Sequence, residues 1–199
     1  HDKNNFLEVV FFKILKLKNI RNTDAQIYEE IDQAISIGHQ DIRVYYLFLT
    51  NAIGFISFRS QFNRALVIQS IAETISLENI EPIEQAFFKL TKAVLKFHQG
   101  FINEGNLLFK EAMALVDKKH PRYLTFLINS VSINSYQGRL KGLAKEDLDI
   151  IDSVFDVNLL FPIIMMILDN SIFTGNFEEG FKYVKKFNEI KNTDKKKEF

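Results

Sequence analysis

Neither cysteine nor tryptophan occurs in the 199 residues, and there are only 3 prolines and 8 glycines. Without cysteine the chain cannot be a disulfide scaffold, a thiol enzyme or a Cys-ligated zinc domain; a reducing, cytoplasmic setting fits. Scarce Gly and Pro argue against an all-β sandwich, which uses many of both in its turns. An excess of one charge is missing too, because 25 Lys and Arg balance 25 Asp and Glu. A dedicated nucleic-acid binder draws much of its affinity from a basic surplus, so direct nucleic-acid binding by this segment is not expected. No apolar run approaches the roughly 20 residues of a membrane span. The longest, Leu159 to Leu168, is interrupted by Pro162, and no membrane role is expected. The chain opens on His1 rather than on methionine, so a larger parent protein is expected.

What is present is apolar and aromatic, with 47% hydrophobic residues and 20 Phe, enough to form a packed core. Phe6, Val9, Val10, Ile14 and Leu17 recur at spacings of three and four, which predicts a first helix over 5–18. Asn22, Thr23 and Asp24 offer N-cap chemistry for a second helix that carries Ile27, Ile31, Ala34 and Ile35 and ends at Gly38. Asp41 opens a third helix reaching Phe58, and a fourth follows a break at Arg59-Ser60. Pro82, Pro121 and Pro162 then each stand at or near the start of a strongly apolar helix, where a missing N–H costs nothing, 39 and 41 positions apart. Gly100, Gly138 and Gly175 mark turns 38 and 37 positions apart, and Ser60 lies 40 positions before Gly100. Two sets of punctuation share one period, which is the signature of a structural repeat.

Gly100-Phe101-Ile102-Asn103-Glu104-Gly105 and Gly175-Asn176-Phe177-Glu178-Glu179-Gly180 have a small residue five positions after the turn residue, as does Ala65 after Ser60. Gly105, Phe109 and Ala112 continue with a small-aromatic-small spacing that lets helices approach closely. In these features the chain resembles the tetratricopeptide-repeat superfamily, although its period exceeds that family's usual length of about 34 residues and the first-helix Trp is absent. The resemblance implies an all-α, right-handed α-α superhelix of about five antiparallel helical hairpins. The hairpins are expected near 5–38, 41–78, 81–118, 120–156 and 157–192, in one domain over 1–194 with a frayed basic tail at 195–199.

Catalytic motifs are missing from the sequence, which has no phosphate-binding Gly loop, GxSxG elbow or HExxH. His39, His98 and His120 have no partner at ligand spacing, and the carboxylate groups Glu29-Glu30, Asp147-Asp149-Asp152 and Glu178-Glu179 read as solvated faces. No catalytic residue, metal or cofactor is expected. Two first helices stand out instead. One is unusually polar, with Asn129, Ser130, Ser132, Asn134, Ser135 and Tyr136; the other is unusually aromatic, with Tyr45, Tyr46, Phe48, Phe55 and Phe58 around Asn51. Lys89, Lys92 and Lys96 form a third stripe. In tetratricopeptide-like arrays first helices line the groove. The resemblance therefore makes Tyr45, Asn51, Lys89, Lys92, Lys96, Asn129, Asn134 and Tyr136 the candidate peptide contacts. The same residues also suit close helix packing or a solvated surface, and the sequence alone does not decide. The expected function is a non-catalytic module for a protein or peptide ligand. A peptide-sensing or dimerising part of a bacterial-type transcription regulator, with its DNA-binding part elsewhere, is the alternative. Self-association as a homodimer stays open.

Overall fold

Asp41 shows how these helices begin. Its carboxylate accepts hydrogen bonds from the backbone N–H groups of Arg43 (2.8 Å) and Val44 (3.3 Å), donors that would otherwise lack partners at a helix start. In the computed structural model, residues 3–17, 25–136, 145–154 and 157–195 are described. Among them the chain is all-helical, with no strand: α1 (Lys3–Leu17), α2 (Gln26–Ile37), α3 (Ile42–Ser57), α4 (Phe62–Ala72), α5 (Pro82–His98), α6 (Ile102–Ala114), α7 (Tyr123–Tyr136), α8 (Lys145–Asp152), α9 (Val157–Thr174) and α10 (Phe177–Lys195). The chain divides into two compact units, residues 1–117 and 118–199. The division falls where the third expected hairpin ends.

In the first unit α1 packs with α2, α3 with α4 and α5 with α6, while α1 lies on α3 and α3 on α5. Stacked helices α1 and α3 run the same way. Phe11 meets Phe48 edge-on (6.2 Å between ring centroids), and further along both helices the Arg59 guanidinium donates to Leu17 O (2.7 Å) and Phe55 O (3.0 Å). Helices α5 and α6 run oppositely, since Lys89 pairs with Glu111 and, further along α5, Lys96 pairs with the earlier Glu104. Packed from several sides, α3 buries Tyr46, Phe48, Leu49, Ala52, Ile53, Phe55 and Ile56, as expected of a helix that is apolar nearly all round. Arg43 clasps α5 from the other end of α3, donating to Glu84 (2.6 Å) and pairing with Glu81 (2.8 Å). The hydrogen bond to Glu84 holds its pKa above the usual arginine value.

The turns repeat atom for atom. Ser60 donates its N–H to Ser57 O (2.9 Å) and Gln61 to Ile56 O (3.2 Å); forty positions on, Gly100 donates to Phe97 O (3.0 Å) and Phe101 to Lys96 O (2.9 Å). This is the Schellman closure, which requires a left-handed residue just past the helix. Ser60, Gly100 and Gly175 accordingly have φ of 61°, 82° and 73°. Five positions after each turn the helices come closest. Ala65 is fully buried, a Cβ on Gly105 would lie 2.6 Å from the Phe97 ring, and one on Gly180 would lie 3.1 Å from Ser171.

Two sequence expectations change, and a third falls outside the described residues. In α1 the buried residues are Leu7, Val10 and Ile14, while Val9 is 52% exposed; neighbouring helix positions diverge by roughly 100°, so a stripe holding both valines is too wide. Helix α2 has Ala25 at its N-cap with no side-chain bond, and the expected cap at Asn22–Asp24 lies outside the described residues. Pro82 does occupy the first turn of α5. Pro162, however, is the sixth residue of α9, so its missing N–H removes an interior hydrogen bond rather than an unneeded donor.

In the second unit α7 packs on α9 and α9 on α10. Tyr123 ties α7 to α8 by donating its hydroxyl to Asp147 (3.0 Å). Lys186 of α10 donates to Ile151 O (2.9 Å) and Asp152 O (2.7 Å), satisfying carbonyls that a helix end leaves open. Among the described residues no helix is long and apolar enough to cross a membrane.

Candidate ligand-binding face

Helix α3 meets neighbours on most sides and keeps one open stripe. Leu47, Asn51 and Gly54 are half-buried and Phe58 is exposed, spaced so that they share a face. Helix α5, packed beside it, has the matching stripe: Phe87, Thr91 and Val94 half-buried and His98 exposed. Each residue of the second row stands forty positions after its counterpart in the first, the same step that separates Ser60 from Gly100. Two adjacent helices therefore present the same surface at one repeat period.

The middle of this face is polar and locally locked. Asn51 donates its side-chain amide to Leu47 O (2.8 Å), and Thr91 donates its hydroxyl to Phe87 O (2.9 Å). Both reach one turn back along their own helix. Asn129 of α7, thirty-eight positions after Thr91, does the same to Thr125 O at 2.7 Å. With the amide nitrogen bound in this way, the oxygen of Asn51 and of Asn129 is held on the helix surface as an acceptor. Among the described residues no group donates to either. The flanking positions are apolar, so the face joins a fixed polar centre to hydrophobic contact area, the mix that ligand sites use.

The structure separates the eight sequence candidates. Asn51 lies on the open stripe of α3, and Asn129 has its register and bonding on α7. Tyr45 faces α2 instead, donating its hydroxyl to Ile35 O (3.0 Å), and burial pushes its pKa up. Lys89, Lys92 and Lys96 face α6 and α4, where they pair with Glu111 (2.5 Å), Glu73 (2.5 Å) and Glu104 (2.7 Å). The hydrogen bond from Lys89 holds the Glu111 carboxyl below its usual range. The side chains of Asn134 and Tyr136 lie outside the described ones. Among the aromatic residues of α3, Tyr46, Phe48 and Phe55 are core. Thr91 was missed, although it stands nine residues before Gly100 as Asn51 stands nine before Ser60.

Two arginines serve the fold. Arg64 pairs with Asp32 and lies 5.3 Å from the Tyr28 ring, binding α4 to α2. Arg59 stacks 3.6 Å from the Phe55 ring, and burial lowers its pKa. No group of three or more His, Asp or Glu able to hold a metal ion occurs among the described residues.

Asp152 has the clearest pH signature. Burial by itself would raise its pKa; the hydrogen bond from Lys182 (2.9 Å) and the charges of Lys182 and Lys186 outweigh burial and hold it below the usual aspartate value. A carboxyl lowered by folding contributes stability that is complete above its unfolded pKa of about 3.9 and is lost as pH falls through its native value. Asp152→Asn is therefore expected to lose less thermal stability than the parent between about pH 5 and about pH 3. Equal losses in thermal melts of the two proteins would contradict this role.

Comparison of the chain with models of protein families, with curated proteins and with solved structures finds no match.

Proposed function

We propose that this chain is a tetratricopeptide-like module, a right-handed superhelix of about five hairpins, and that it binds a peptide or protein segment along its first helices. The paired open stripes of α3 and α5, with locked Asn51 and Thr91 at their centre, are the observation that carries this reading. A ligand backbone N–H would meet the amide oxygen of Asn51, with apolar side chains on either side against Leu47 and Phe87. An acceptor already fixed by a bond to its own helix loses little freedom on binding, which favours affinity. Asn129 has the same bonding at the equivalent register of α7. Lys89, Lys92 and Lys96 take no part, because their charges are engaged between helices.

A selection from a random peptide library on the immobilised chain tests this reading. Selected peptides are expected to bind Asn51→Ala about tenfold more weakly, the loss of one hydrogen bond of about 1.4 kcal/mol. The melting temperature should not fall, because alanine is the better helix former. Peptides that bind Asn51→Ala, Thr91→Val and Asn129→Ala as tightly as the parent would overturn it.

A further inference from the structure

The most exposed large apolar side chain in the described structure is Phe181 of α10, at 70%, and Phe177 one turn earlier is 54% exposed. The same hairpin exposes Phe161, Met165 and Ile172 along α9, and the Phe161 ring lies 5.9 Å from that of Phe187 on α10. On its other side α10 is occupied by α8, through Lys182 with Asp152 and Lys186 with the last carbonyls of α8. An apolar face built from two helices marks an interaction surface.

The charges beside it indicate its partner. Glu178 and Lys185 are both exposed, stand on either side of Phe181, and neither forms an ion pair with a described residue. Two α10 helices laid antiparallel about a two-fold axis next to Phe181 would bring Glu178 of each against Lys185 of the other. A parallel arrangement would set Glu178 against Glu178 and Lys185 against Lys185, and like charges at such spacing repel. We propose that a second copy of this chain covers this face, forming an isologous dimer through antiparallel α10 helices with Phe181 at its centre and the exposed edge of α9 at its flank. In such a dimer one patch serves both partners, so the assembly stops at two copies. The inference rests on α9 and α10, none of whose residues takes part in the proposed ligand-binding face.

Sedimentation equilibrium of the full chain, from about micromolar to about hundreds of micromolar, gives the test. A monomer–dimer equilibrium with no larger species is expected, and Phe181→Ser, at a position where solvent already reaches the side chain, should weaken it at least about tenfold. Glu178→Lys and Lys185→Glu should each weaken self-association by about tenfold. An equimolar mixture of those two variants should dimerise better than either alone, because each then faces the opposite charge. Only a real contact between these positions gives that recovery. A monomer at all concentrations, growth beyond two copies, or masses indifferent to these substitutions would overturn the proposal.

Discussion

Ala112→Asp is expected to abolish the cooperative folding of the first unit. Ala112 is fully buried in α6, the helix that runs back along α5, so a carboxylate there would be taken out of water. An unpaired buried charge costs about 3–5 kcal/mol, a large part of the roughly 5–15 kcal/mol that holds a domain folded. Urea unfolding followed by circular dichroism should show a lost or strongly shifted transition. Ala114 lies two positions on and is exposed, so Ala114→Asp should change stability by no more than about 0.5 kcal/mol. The same response from both variants would contradict the register of α6.

Phe48→Ala is expected to cost about 3–5 kcal/mol, the usual loss when a fully buried phenyl ring becomes a cavity. The ring is inaccessible to solvent and meets Phe11 of α1 edge-on, so α1 would lose that contact on α3. Phe58, at the end of the same helix, is 51% exposed, and Phe58→Ala should cost less than about 1 kcal/mol. Denaturation midpoints of the two variants provide the check. A loss below about 1 kcal/mol for Phe48→Ala would show that α3 is not the centre of this core.

The parts of the fold legible in the sequence are those governed by backbone sterics and local spacing. A left-handed residue is needed where a Schellman turn closes, so Gly100 stands out, and Gly175 likewise has a positive φ. Ser60 was placed by the break between the third and fourth helices and by its distance of forty positions from Gly100, and its φ of 61° agrees. Close helix approach likewise demands a small side chain, which made Ala65, Gly105 and Gly180 readable. The lysine stripe was not readable in the same way. Spacings of three and four show that Lys89, Lys92 and Lys96 share a side of α5, but not that Glu111, Glu73 and Glu104 occupy it. Those partners are brought there by hairpin packing. Asn51 and Asn129 lay between two readings, ligand contact and packing. Their bonds to Leu47 O and Thr125 O show a third arrangement, an amide fixed to its own helix with its oxygen left outward. Thr91 was overlooked because a lone threonine in an apolar helix draws no notice until its register is compared with theirs.

Hydrogen exchange of the chain with and without a selected peptide is the most direct test of recognition by the first helices. Slower exchange is expected in α3 and α5 around Leu47–Gly54 and Phe87–Val94, with α4 and α6 little changed. Protection confined to α4 and α6, or no change anywhere at saturating peptide, would contradict recognition along the first helices.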